Sequence, residues 1–136
     1  MKWNLPPSQQ RIGANISMTS KFVFTTQFER GIKQLKKHYR NIASDIELAL
    51  ESLESNPELG AIIPDDYQVR KLRVASRDMK RGKSGGFRLL YKLEITNEDI
   101  VLIYLLFVYA KSDQEDISIH QLKDFIDDLE SDSDEA

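Results

Sequence analysis

The chain has 136 residues, 40% hydrophobic and 30% charged, which suffices for one domain with a core beneath a heavily charged surface but not for two. It has no cysteine, which removes disulfides, thiolate nucleophiles and cysteine-held metal sites and fits a cytoplasmic location; its two histidines, His38 and His120, are 82 positions apart and give no paired zinc ligands. The formal net charge of −3 hides a split: residues 124–136 carry seven acidic and no basic residues, whereas residues 70–92 carry nine basic residues against the single Asp78.

In chain order, residues 1–20 read as a flexible extension, because Pro6-Pro7, a polar run and Gly13 leave no periodicity. Met18, just before the first patterned segment, offers an alternative native start to Met1, and a secretion signal would need an apolar stretch where the prolines stand. Residues 21–25 form a strand rich in aromatic and β-branched residues. Thr26-Gln27-Phe28-Glu29 has capping-box spacing, and Phe28, Ile32, Leu35 and Tyr39 then mark one face of an amphipathic helix. Gly31 costs that helix about 1 kcal/mol relative to alanine, which points to close packing there. A second helix, from about Ile42 to Ser55, buries Ile42, Ile46, Ala49 and Leu53 and stops at Asn56-Pro57, so the pair reads as a helical hairpin.

A loop over residues 60–67 leads to three strands. In residues 69–74, Leu72 and Val74 share one face and Lys71 and Arg73 the other; in residues 87–95, Phe87, Leu89, Tyr91, Leu93 and Ile95 oppose Arg88, Lys92 and Glu94. After a turn at Thr96-Asn97-Glu98-Asp99, residues 100–109 are apolar on both faces and predict a central strand; the whole apolar run is 11 residues, too short for a membrane helix. A last helix over residues 117–129 carries Ile119, Leu122, Phe125, Ile126 and Leu129, and residues 130–136 read as a disordered acidic tail. The expectation is an α+β domain over residues 21–129 in the order β-α-α-β-β-β-α, with a helical hairpin packed on a small, mainly antiparallel sheet and the helices on one sheet face.

Most familiar site chemistries fail on the residues. Gly82-Lys83-Ser84 resembles the end of a phosphate-binding P-loop, but Arg77 stands where the first glycine is required. Asp65-Asp66 and Asp127-Asp128 read as solvated charge, and Asp113 and Asp116 are weak candidates for a metal nuclease, so no metal and no cofactor are expected. What remains is a sheet face carrying Lys71, Arg73, Arg88 and Lys92, topped by a basic loop, with Tyr109 and Lys111 emerging together from the neighbouring strand. It reads either as a solvated edge that resists aggregation or as an anion-gripping surface, for which rigidly held arginine forks are suited. Tyr91 alternates onto the apolar face, which makes it a core residue.

Three segments, Val69-Arg70-Lys71-Leu72-Arg73-Val74-Ala75-Ser76, Gly82-Lys83-Ser84-Gly85-Gly86-Phe87-Arg88-Leu89-Leu90-Tyr91 and Tyr109-Ala110-Lys111-Ser112-Asp113-Gln114-Glu115-Asp116-Ile117, together with the Asn56-Pro57-x-x-Gly60 turn, resemble toxins of the RelE/HigB group of type II toxin–antitoxin systems, in the RelE/ParE superfamily. The resemblance spans about residues 21–129 and implies a RelE-like fold and a ribosome-dependent messenger-RNA endonuclease in the cytoplasm, without metal or membrane, silenced by a cognate antitoxin, a small helix-turn-helix protein. In that group the RNA's own 2′-hydroxyl attacks the adjacent phosphate. Carried onto this sequence, Arg88 stabilises the phosphorane, Lys71 and Arg73 grip phosphates, Tyr109 or Lys111 assists proton transfer, and Arg70, Arg77, Lys80, Arg81, Lys83 and Lys92 contact RNA. The alternatives are a ParE-like poison of DNA gyrase, which shares the fold, and a non-catalytic RNA- or antitoxin-binding homologue.

Overall fold

The computed structural model describes residues 19–64, 67–79, 85–114 and 116–134. In order these form β1 (Thr19–Phe24), α1 (Thr26–Lys36), α2 (Ile42–Ser55), β2 (Ala61–Ile62), β3 (Val69–Val74), β4 (Phe87–Ile95), β5 (Ile100–Ala110) and α3 (Ile119–Asp134). The strands make one five-stranded sheet ordered β1-β5-β4-β3-β2, in which β1 runs parallel to β5 and every other pair is antiparallel. The two-residue β2 is an addition to the expected order. The strand predicted to be central, β5, lies between β1 and β4.

Apolar periodicity decides what covers the sheet. Phe28 and Leu35 of α1 and Ile42, Ile46 and Leu53 of α2 bury against Val74, Phe87, Leu89, Tyr91, Ile103, Leu105 and Val108. Gly31 has the packing role its helix position implied: a Cβ there would lie 3.1 Å from the Val108 carbonyl oxygen, so α1 rests directly on the β5 backbone. The last helix departs from expectation. It covers the opposite face, where Leu122, Phe125, Ile126 and Leu129 pack on Val69, Leu90, Leu106 and Tyr109. The sheet is therefore enclosed from both sides, which is why β5 is apolar on both.

Three local expectations change. The N-cap of α1 is Thr25 rather than Thr26; its Oγ1 accepts from Phe28 N at 3.3 Å and donates to the Leu105 carbonyl at 2.6 Å. That oxygen serves two partners at once, which Thr26, exposed on the first turn, does not. β5 holds one extra residue, Leu106, opposite the Leu90–Tyr91 step, and this bulge switches the inward parity from Val108 to Leu105. The last helix starts at Ile119, not 117, because Ser118 and Gln121 form a reciprocal cap: Gln121 N donates to Ser118 Oγ at 3.1 Å and Ser118 N to Gln121 Oε1 at 3.1 Å. Ile119 consequently points outward, 65% exposed. The helix continues to Asp134, through part of the acidic segment. No helix among the described residues is long and apolar enough to cross a membrane.

Candidate nucleic-acid interface

The strand alternation that buries Val74, Phe87 and Leu89 beneath the helical hairpin necessarily turns Arg73 and Arg88 to the other side. Gly86 makes that register possible: its φ is +81°, and a Cβ would collide with the Val74 carbonyl. β3 and β4 then pair Arg73 with Arg88, and β4 and β5 pair Arg88 with Tyr109. Three neighbouring strands thus carry Arg73, Arg88 and Tyr109 in one lateral row. Lys71 lies two residues along β3 on the same face, and Lys111 follows the end of β5.

Arg88 is only 9% exposed, and its Nη1 donates to the Gly85 and Phe87 carbonyls at 3.3 and 3.2 Å. A guanidinium carries five N–H donors, so the group keeps donors for an anion while its orientation is held by backbone. Arg73 is exposed beside it and borders an open cavity of ≈ 280 Å³ with Ser76, Met79 and Gly86. Placing two guanidinium groups directly opposite across a strand pair is electrostatically unfavourable unless an anion joins them.

Tyr109 does not emerge at the strand end as expected. It is 4% exposed, its ring stacks near Phe107 at 6.1 Å, and its buried hydroxyl has no hydrogen-bond partner among the described residues. Burial pushes its pKa upward, the Asp116 charge adds to that, and Arg88 opposes it. The phenol is therefore a neutral donor at physiological pH. Tyr91, by contrast, takes the core role assigned to it: it accepts from Gly60 N at 2.7 Å and donates to the Pro57 carbonyl at 2.8 Å, tying the turn after α2 to the sheet.

The remaining basic residues divide. Arg70 lies on the hairpin side, donating to the Glu58 and Gly60 carbonyls at 3.0 and 2.7 Å. Arg77 braces the segment after β3 against α2, through its backbone N–H to Asp45 at 3.1 Å and an ion pair at 3.6 Å. Lys92 shares the face of Arg88 but donates to the Tyr67 carbonyl at 2.9 Å, two rows from the arginines. Lys80, Arg81 and Lys83 lie outside the described residues. One group was missed as a member of this face: Asp116 Oδ1 meets Lys71 Nζ at 3.3 Å, and the Ile117 backbone N–H, Lys71 and Lys111 together hold its pKa below the ordinary carboxylate value against the opposing effect of burial.

Chemically, the row can bind a phosphodiester between planar arginine forks, stabilise added negative charge on phosphorus, and offer a protonated phenol. Among the described residues, no three acidic or histidine side chains gather as a metal site would need. A family model described as the ParE toxin of the type II toxin–antitoxin system, parDE, matches residues 22–107. The match spans β1 through most of β5 and takes in Lys71, Arg73 and Arg88, with Tyr109 and Lys111 just beyond its end.

Proposed function

Because the chain belongs to the ParE toxin family of the RelE/ParE superfamily, and so is a toxin of a type II toxin–antitoxin system with a cognate antitoxin as partner, we propose that its toxic activity is endoribonucleolytic cleavage of messenger RNA on the ribosome. The observation that carries this reading is the register row Arg73–Arg88–Tyr109, with Arg88 almost buried and backbone-anchored at its centre. A protein that poisons by docking needs complementary surface; a nearly buried, preoriented guanidinium between a second guanidinium and a buried phenol suits charge that develops during a reaction.

In this mechanism the substrate's 2′-hydroxyl gives up its proton to solvent water as it attacks the adjacent phosphorus, and the 5′-oxygen of the next nucleotide departs and is protonated, leaving a 2′,3′-cyclic phosphate and a 5′-hydroxyl. Arg88 stabilises the phosphorane, Arg73 and Lys71 hold the scissile and flanking phosphates, and Lys111 supplies a proton to the departing oxygen. Tyr109, kept neutral by burial, donates a hydrogen bond rather than acting as a base. The chemistry needs positioned cations and proton transfer, not a metal. α3 covers this face at Leu90 and Tyr109 while Arg73 stays exposed, and alignment of the strand falls to the ribosome.

Purified toxin added to a reconstituted translation reaction should cut the translated message, as read by primer extension, and should leave gyrase supercoiling untouched. Intact message together with blocked supercoiling would overturn the proposal in favour of a gyrase poison. Intact message with neither effect would favour a non-catalytic binding protein.

A further inference from the structure

The linker between β5 and α3 is built rather than loose. Gln114 Nε2 donates to the Asp116 carbonyl at 2.9 Å and to Gln121 Oε1 at 3.3 Å, while Ser118 and Gln121 cap the following helix. The result is a carboxylate in a fixed place: Asp116 Oδ1 accepts from Ile117 N at 2.9 Å and from Lys71 Nζ at 3.3 Å. The positive charge of Lys111 also acts on it, and its own charge reaches the Tyr109 hydroxyl. Its side chain is 72% exposed and that of Lys71 33%, so water and ligands reach both partners. An ion pair so exposed contributes little to stability, and a network this ordered needs another reason.

From this placement we infer that Asp116 occupies a phosphate subsite formed by Lys71 and Lys111, and that a nucleic-acid phosphate binds there by displacing it. The inference rests on reading this face as phosphate-binding, and it names a second subsite beside the Arg73–Arg88 pair. A carboxylate and a phosphate offer the same acceptor oxygens to ammonium donors, and two anions crowded onto Lys71 would repel each other, so the phosphate binds best where the carboxylate has moved away. Asp116 therefore makes binding an exchange: the free toxin keeps its lysines compensated, and a strand must present a phosphate at this position to replace the carboxylate. The device lowers affinity for loose anions and raises the demand for correct register.

The test compares wild type with Asp116→Asn, which keeps an acceptor for Ile117 N–H and removes the charge, and with Asp113→Asn, an exposed neighbour outside the ion pair. Binding of a 2′-O-methyl oligoribonucleotide, which cannot be cleaved, is measured by fluorescence anisotropy. Inorganic pyrophosphate is titrated separately while the Ile117 amide resonance is followed. Asp116→Asn should bind the oligonucleotide about fivefold tighter at low salt, a gain that vanishes near 1 M salt, where the screening length is ~3 Å. Asp113→Asn, exposed and outside the Lys71 ion pair, should change affinity by less than about twofold, and pyrophosphate should shift the wild-type Ile117 amide. Unchanged or weaker binding by Asp116→Asn overturns the inference, as does an equal gain in Asp113→Asn or an Ile117 amide that pyrophosphate leaves unmoved. The pyrophosphate arm involves neither RNA cleavage nor ribosomes, so a toxin that exchanges Asp116 but cuts no message would refute the ribonuclease reading alone.

Discussion

Replacing Arg88 by methionine separates activity from stability. The methionine keeps most of the buried stem's volume while removing the guanidinium. Its Nη1 bonds to the Gly85 and Phe87 carbonyls are lost, a cost of about 1–2 kcal/mol for charge-assisted bonds at a part-buried site. Against that, the like charge of Arg73 directly across the strand pair disappears, which returns roughly 0.2–1 kcal/mol. The net effect on folding is therefore a loss of about 1 kcal/mol, and urea unfolding should show a midpoint lowered by roughly 0.3–1 M with an unchanged slope. Transition-state stabilisation should fall much further, by about 3 kcal/mol or a hundredfold in rate, as when one preoriented donor to a developing oxyanion is removed. Arg88→Lys, which keeps the charge but not the fork, should retain an intermediate rate. The readouts are the single-turnover cleavage rate on translating ribosomes and the urea midpoint of the same preparations. Full activity in Arg88→Met, or a rate loss explained by its unfolded fraction, would refute the reasoning.

Tyr91→Phe leaves Gly60 N–H without its partner beneath the hairpin and should cost about 2–3 kcal/mol in urea unfolding, with cleavage per folded molecule unchanged. Gly86→Ala, at φ +81° against the Val74 carbonyl, should destabilise by about 2–4 kcal/mol and reduce activity by disturbing the Arg73–Arg88 register, read as loss of cross-strand amide protection at residues 73 and 88. Folding should weaken in alkali: burial raises Tyr91 and Tyr109, and burial with the Glu94 hydrogen bond pushes Tyr104 up to about 12, whereas unfolded tyrosines ionise near 10.0. Stability is thus whole below pH 10 and falls as pH rises from there towards 12; Tyr104→Phe should lessen the fall of Tm between pH 9.5 and 11.5.

Much of this architecture is visible in residue spacing because it depends on neighbours a few positions away. The run Phe87-Arg88-Leu89-Leu90-Tyr91 alternates strongly enough to place Arg88 opposite the hairpin, and the apolar spacing with Asn56-Pro57 sets both ends of α2. The features that escaped depend on distant partners. Thr25 rather than Thr26 caps α1 because of a carbonyl 80 residues away, and the bulge at Leu106 follows from pairing with β4. From the sequence Asp116 reads only as a weak metal-nuclease candidate beside Asp113, because its partner Lys71 is 45 positions distant. A local signal for the linker's order does exist in the Ser118-x-x-Gln121 spacing, which marks where the last helix begins. The two-sided apolarity of β5 likewise signals a second covering layer, which the face occupied by α3 makes plain.

On the proposed function, this face makes the RNA cut itself through its own 2′-hydroxyl. The most direct measurement is end-group analysis by mass spectrometry of a defined message cleaved on the ribosome, alongside the same message carrying a single 2′-deoxynucleotide at the scissile position. The account predicts a 2′,3′-cyclic phosphate and a 5′-hydroxyl from the first and no cleavage at that position in the second. Cleavage that survives the 2′-deoxy substitution, or that leaves a 3′-hydroxyl and a 5′-phosphate, would contradict it.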